Sequence, residues 1–190
     1  MQKILIFDNY DSFTFNLLHY VEQFEQVNVE VFRNNEIDLV DINAFDAIIF
    51  SPGPGLPVDA GSMNQVIKTF ASSKKMLGVC LGMQAIVEVF GGKLKNLETV
   101  MHGISKPVMI SETEDLLFKN IPQVFNAGRY HSWVADKNSM PACIKVTAID
   151  DDDEVMAIRH VDYKIFGVQF HPESVLTEHG LKMIENWIAI

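Results

Sequence analysis

The stretch Gly78-Val79-Cys80-Leu81-Gly82-Met83-Gln84 decides how this chain is read. The apolar run Met76-Leu77-Gly78-Val79 enters it as a buried strand would. Gln84-Ala85-Ile86-Val87-Glu88-Val89-Phe90 leaves it with a helical pattern. Small residues two before and two after a nucleophile-type residue mark a strand–turn–helix elbow, which lifts one side chain out of the sheet. Gly78 and Gly82 avoid Cβ clashes in so sharp a turn. Cys80 then stands at the head of a helix, where free N–H groups and partial positive charge favour a thiolate. Taken alone, Cys80 reads equally well as a small buried hydrophobe, the usual fate of a free cysteine. The remainder of the sequence has to choose.

Upstream, Lys3 to Phe7 is a continuous apolar run, as in a strand buried on both faces. Asp8-Asn9-Tyr10-Asp11-Ser12 follows as a polar loop. A helix is expected over Phe13 to Phe24, with Phe13, Leu17, Tyr20, Val21 and Phe24 on one stripe. Val27 to Arg33 and Asp46 to Phe50 read as strands, the latter closed by Pro52-Gly53-Pro54-Gly55. Ser62 to Phe70 fits a second helix. This alternation predicts an α/β fold, with an open, mostly parallel sheet flanked by helices. Ligands bind at the C-terminal ends of such strands. Asp8 to Ser12, Pro52 to Gly55 and Cys80 all fall there.

From about Gly92 to Ile165 the pattern shifts to short strands: Val108 to Ile110, Ile144 to Ile149 and Val155 to Ile158. These predict a small antiparallel insertion packed on the α/β core, so residues 1–190 are expected to form one domain. The acidic run Asp150 to Glu154 reads as a solvated hairpin loop; the glycine and spaced ligands of a calcium loop are missing. Ile165 to Phe170 is a further apolar strand, followed directly by His171-Pro172-Glu173. A closing helix is expected over Glu178 to Ile188, with Leu181, Ile184, Trp187 and Ile188 on one face.

The net charge of −10 argues against nucleic acid or an anionic membrane as partner. No segment approaches the roughly 20 apolar residues of a membrane span. The N-terminus lacks the basic start and long apolar core of a signal peptide, so the cytoplasm is expected. Cys80 and Cys143 are the only cysteines. They do not suggest a secreted disulfide scaffold. No His/Cys/Asp spacing matches a zinc site, and neither metal nor cofactor is expected.

His171 follows a strand and therefore reaches the edge where Cys80 is expected. A thiol needs a base or an imidazolium neighbour to react as thiolate at neutral pH. Glu173, two residues on in an extended segment, points the same way and can orient the imidazole. His131, within Arg129-Tyr130-His131-Ser132-Trp133, is a candidate loop contact. Gly53 and Gly55 let backbone approach a ligand closely. N–H groups from that loop and from Leu81 are candidate donors to a developing oxyanion.

Three blocks together resemble the class I, triad-type glutamine amidotransferases: Ser51-Pro52-Gly53-Pro54-Gly55, Gly78-Val79-Cys80-Leu81-Gly82-Met83-Gln84, and Gly167-Val168-Gln169-Phe170-His171-Pro172-Glu173-Ser174. The opening Phe7-Asp8-Asn9-Tyr10-Asp11-Ser12-Phe13-Thr14-Phe15-Asn16 is similar to one branch, the small subunits of anthranilate synthase and aminodeoxychorismate synthase. The resemblance implies that Cys80 attacks the side-chain amide of L-glutamine, that His171 handles the proton, and that Glu173 orients His171. It implies an oxyanion hole at the Leu81 and Gly53 N–H groups. Gly53, Pro54, Gly55, Gln84, Ser132 and Trp133 match glutamine-binding positions. It also implies a chorismate-binding large subunit, component I, that receives the ammonia. Two departures stand out: Met83 where many relatives have histidine, and Ile104 where many chorismate-linked relatives have lysine. The elbow alone is also compatible with a stand-alone cysteine hydrolase of γ-glutamyl compounds. A non-enzymatic, flavodoxin-like binding module is a third reading, against which the presence of all three triad residues argues.

Overall fold

The computed structural model describes residues 1–97 and 100–190. In chain order the elements are β1 (Gln2–Asp8), α1 (Thr14–Val21), β2 (Val27–Arg33), α2 (Leu39–Ile42), β3 (Ala47–Phe50), α3 (Met63–Phe70), β4 (Lys75–Val79) and α4 (Leu81–Val89). There follow β5 (Leu94–Asn96), β6 (Ile104–Ile110), β7 (Val124–Arg129), β8 (Trp133–Ala135), β9 (Ile144–Ile149), β10 (Val155–His160), β11 (Ile165–Val168) and α5 (Gly180–Ala189).

One nine-stranded sheet runs β2-β1-β3-β4-β11-β10-β9-β6-β7. β2, β1, β3, β4 and β11 are parallel; β10, β9, β6 and β7 continue the sheet antiparallel. β5 and β8 form a separate antiparallel pair. The α/β class and the open, helix-flanked sheet match the sequence reading. The antiparallel strands differ in placement, since most of them extend the main sheet. β10 pairs directly with β11, so the parallel half has no free edge there for a packed layer to cover.

The central strands alternate their side chains between two cores. Ile4 and Ile6 of β1, Ala47 and Ile49 of β3, and Leu77 and Val79 of β4 face a cluster with α1 and α5, including Leu17, Val21, Met183, Ile184 and Trp187. Leu5 and Phe7, Ile48 and Phe50, and Met76 face the other way, onto Met63, Val66, Ile67, Ala85 and Ile86 of α3 and α4. Burial on both faces is why these strands read as unbroken apolar runs. Lys75 opens β4 from a buried position. Its Nζ donates to the carbonyls of Trp187 (2.8 Å) and Ile188 (2.9 Å), tying the sheet to the end of α5. Burial, with Lys164 nearby, pushes its pKa down to about 8.

Three local expectations need correction. Leu181 lies on the outer side of α5, 38% exposed, and Met183 takes the inward place with Ile184, Trp187 and Ile188. The acidic run is not simply solvated. Asp150 is buried and pairs with the buried Arg129 at 2.6 Å, while its other oxygen accepts the N–H groups of Asp152 and Glu154. Lys106 and Lys95 hold Asp152 and Glu154. Asp150, Asp151 and Asp152 come close enough to one another to share an ion, but Asp150 is already committed to Arg129. Finally, α2, β5, β7 and β8 escaped the sequence reading; α2, β5 and β8 run to only four, three and three residues, too few to show periodicity. Among the described residues no helix is long and apolar enough to cross a membrane.

A tight constraint of backbone on backbone lies at the elbow. A Cβ on residue 82 would sit 2.5 Å from the Phe50 carbonyl oxygen, and one on residue 78 would sit 2.5 Å from the Gly82 carbonyl carbon and the Met83 nitrogen. Backbone is what blocks the space, so side-chain adjustment gives little relief. Gly82→Ala is expected to lower unfolding stability by about 1–3 kcal/mol, the usual cost of overpacking, read as a fall in urea midpoint at unchanged slope. A midpoint equal to wild type would show that α4 does not need this approach to β3.

Candidate active site

The C-terminal ends of β1, β3, β4 and β11 carry Asp8, Ser51, Cys80 and Gln169 to one edge. Cys80 has φ 52 and ψ −102, a strained combination for a residue with a side chain, and sits at the N-cap of α4. Its N–H donates to the Val168 carbonyl at 2.8 Å and its own carbonyl accepts from Gln84 at 3.1 Å, so both neighbours hold the turn. The elbow inferred from glycine spacing is therefore present, and Cys80 is 6% exposed.

The loop after β3 is fixed by buried amides. Asn9 donates its backbone N–H to Ser51 Oγ (2.8 Å) and its Nδ2 to the Ser51 carbonyl (2.9 Å); Asn34 Nδ2 donates to Asn9 Oδ1 (3.2 Å). Gly53 packs so closely on Asn9 and Leu81 that a Cβ there would lie 2.6 Å from Asn9 Cβ. Among the described residues neither the Gly53 N–H nor the Leu81 N–H donates to a protein acceptor, which leaves both for a ligand oxygen.

A cavity of about 160 Å³ opens beside the sulfur. Gly53, Pro54, Gly55, Leu81, Gln84, Ser132 and Trp133 line it with Cys80, and every binding position proposed from the sequence is thus on its wall. Tyr130 and His131 complete the lining. The sequence singled out His131 only as a loop contact and gave Tyr130 no role.

His171 and Glu173 lie behind the sulfur. His171 Nδ1 is 2.8 Å from Glu173 Oε1, and both residues are buried. The segment His171-Pro172-Glu173 is a turn, not the extended stretch expected, and the two side chains meet across it. Thr177 Oγ1 donates to the His171 carbonyl (2.6 Å) and the His171 N–H donates to the Gly128 carbonyl (3.1 Å), which sets the turn against β7. Burial alone would push the imidazole pKa down. The Cys80 sulfur and the Glu173 carboxylate outweigh it and hold His171 up at about 10. Nε2 itself is buried, and among the described residues nothing makes it a hydrogen bond of good geometry. Burial raises the Glu173 carboxyl against the opposing pull of His171.

Aromatic rings clamp the imidazole. Phe13 and Tyr130 lie 4.9 Å and 4.8 Å from it between centroids, and 4.9 Å from each other. The Tyr130 hydroxyl is 3.1 Å from Ser174 Oγ. A thiol, an imidazole backed by a carboxylate, and two free N–H groups around one cavity form an arrangement suited to acyl transfer from an amide or ester.

Residues 5–190 match the family described as glutamine amidotransferase class-I. The chain belongs to that family. The amidotransferase is 48% identical over 187 residues to anthranilate synthase component 2 of Lactococcus lactis, covering 97% of this chain and 93% of that protein. It is 42% identical to aminodeoxychorismate synthase component 2 of Escherichia coli, covering 97% and 98%. Among solved structures, a putative GMP synthase subunit of Thermoplasma acidophilum superposes with a TM-score of 0.88 at 23% identity, over 100% of this chain and 93% of that one. At that identity the likeness speaks for the fold alone.

His131 gives this amidotransferase an acid-sensitive wall. Among the described residues neither ring nitrogen makes a hydrogen bond of good geometry. Burial first, then the positive charges of Arg129 and His171, push its pKa down to about 4 from 6.5. Stability from keeping it neutral is present above the unfolded value near 6.5. It is lost as pH falls from there to about 4, because only the unfolded chain gains the proton. Unfolding free energy should drop across this window by on the order of 3 kcal/mol from this group, and His131→Asn should flatten the slope. Identical slopes in urea titrations of the two proteins would contradict the assignment.

Proposed function

We propose that this chain is the glutamine-hydrolysing small subunit of anthranilate synthase, with Cys80, His171 and Glu173 as its catalytic triad. The observation that carries the reading is the sulfur at a strained elbow, facing a cavity lined by every expected glutamine-binding residue and backed by a buried imidazole–carboxylate pair. The Cys80 thiolate attacks the side-chain amide carbon of L-glutamine. The carbonyl oxygen takes the negative charge against the Gly53 and Leu81 N–H groups. His171 passes a proton to the amide nitrogen, the C–N bond breaks, and ammonia leaves a glutamyl thioester. Water then attacks the thioester, giving its proton to His171, and the C–S bond breaks to free glutamate and the thiolate. Glu173 holds the ring for both transfers.

The ammonia acceptor is proposed to be chorismate on a large subunit. The small subunit from Lactococcus lactis, similar over nearly the whole of both chains, supports this assignment. Aminodeoxychorismate synthase is the second reading, favoured by the similarity to component 2 from Escherichia coli. The proposed docking face is the rim around the imidazole clamp, where Tyr10, Ile104 and the 95%-exposed Val175 leave apolar surface open. Phe13 joins that rim to the His171 ring, so a partner seated there would act on the imidazole directly. Met83 is buried beneath the sheet edge, against Gly167, and lies outside this rim. The two cysteines are both free, which suits the reducing cytoplasm proposed as its location.

Cys80→Ser should lower glutamine hydrolysis by on the order of a thousandfold or more, and Glu173→Gln by less, as in other triads. Adding a chorismate-binding large subunit should raise the wild-type rate, and the aromatic product formed with chorismate distinguishes the two synthases. Hydrolysis unaffected by Cys80→Ser would overturn the assignment. Full turnover of γ-glutamyl peptides with none of glutamine would favour the stand-alone hydrolase.

A further inference from the structure

Gln169 belongs to the block that ends in His171-Pro172-Glu173, yet neither the triad nor the glutamine pocket uses it. It follows β11 directly and is fully buried. Its Nε2 lies 3.5 Å from Cys80 Sγ, within donor range of sulfur. Its Oε1 accepts from Gln84 Nε2 at 3.2 Å. The same Gln84 nitrogen donates to the Trp133 carbonyl at 2.8 Å. A backbone carbonyl can only accept. The Trp133 contact therefore fixes which end of the Gln84 amide is nitrogen, and that nitrogen in turn requires oxygen from Gln169. The remaining end of Gln169, its NH₂ group, is thereby aimed at the sulfur.

We propose that Gln169 is a catalytic residue of this site, donating an N–H to the Cys80 thiolate, and that Gln84 acts on the sulfur through it as a positioning residue. The inference rests on Cys80 being the nucleophile. An N–H aimed at sulfur favours the charged form over the thiol, which is the weaker acceptor. Buried amides hold this donor in place before any ligand binds. The relay also starts on the cavity wall, at Trp133, so a ligand that shifts the Trp133 backbone would reorient the donor on the sulfur. Two other groups set the charge around Sγ, His171 and, behind it, Glu173; His131, in the adjoining wall, is neutral above about pH 4.

The test is the rate of Cys80 alkylation by iodoacetamide as a function of pH, on the full chain. Iodoacetamide is small and neutral and needs none of the glutamine contacts. In Gln169→Leu the rate at neutral pH should fall by roughly ten- to a hundredfold, the range for a hydrogen bond to a charged group. The profile should move to higher pH, with the alkaline plateau kept. Gln169→Glu, of the same shape, should move it at least as far and covers the case in which the leucine variant fails to fold. Gln84→Leu should move it in the same direction, although Gln84 does not touch the sulfur. A residue serving only to bind glutamine would change KM and leave alkylation alone. Unmoved profiles in folded Gln169→Glu and Gln84→Leu overturn the relay. Loss of the triad reading is a separate outcome: glutamine hydrolysis surviving Cys80→Ser, or alkylation of Cys143 in place of Cys80.

Discussion

The Phe50 carbonyl oxygen occupies the space where a side chain on residue 82 would have to be. That contact sets how deeply the start of α4 sinks toward β3. With α4 so placed, the chain has one residue, Cys80, in which to turn from strand to helix, and it does so at φ 52. A side chain in such a conformation costs on the order of 1–3 kcal/mol. The cost is offset by the double-sided burial of β3 and β4 and by the backbone bonds of Cys80 to Val168 and Gln84. The sulfur is consequently placed by the packing of the sheet and not by a flexible loop.

Around that fixed point the charges are sorted by burial. His171 is surrounded by partners that favour its charged form, the sulfur on one side and Glu173 on the other. His131, in the same cavity wall, is pushed toward its neutral form, first by burial and then by the positive charges of Arg129 and His171. Two histidines in one site are thus pushed in opposite directions, His171 toward its charged form and His131 toward its neutral one. The rings of Phe13 and Tyr130 keep water from the charged one and connect it to the exposed rim. Arg129, one residue before Tyr130, is anchored by the buried Asp150, which steadies the segment carrying Tyr130, His131, Ser132 and Trp133 into the cavity.

What the sequence displays depends on the range of the interaction. β1, β3, β4 and β11 are apolar on both faces, so their runs are visible in the residues alone. The elbow is local as well: two glycines flank a cysteine, and a close approach of backbone needs glycine wherever it occurs. Gly53, Gly55 and Leu81 were legible because they fall in short motifs at strand ends, whereas Pro54, Gln84, Ser132 and Trp133 came only from the resemblance to the family. The Asp150–Arg129 pair was not, since an acidic run looks solvated until a distant cation is folded onto it. Nor was the inward face of α5, where Leu181 and Met183 fit one helical stripe about equally and only the sheet chooses. The orientation of Gln169 depends on a carbonyl from β8, an element too short to show in the pattern. The extended geometry assumed for His171-Pro172-Glu173 proved to be a turn, although the side chains meet either way.

The central claim is that the sulfur of Cys80 becomes covalently bound to the substrate. It is tested most directly by mixing the protein with glutamine labelled in its carbon chain, quenching in acid, and mapping the label among peptides. The account predicts label on the peptide containing Cys80, released by hydroxylamine as a thioester would be. Label confined to the Cys143 peptide, or no label under conditions where glutamine is being consumed, would contradict it.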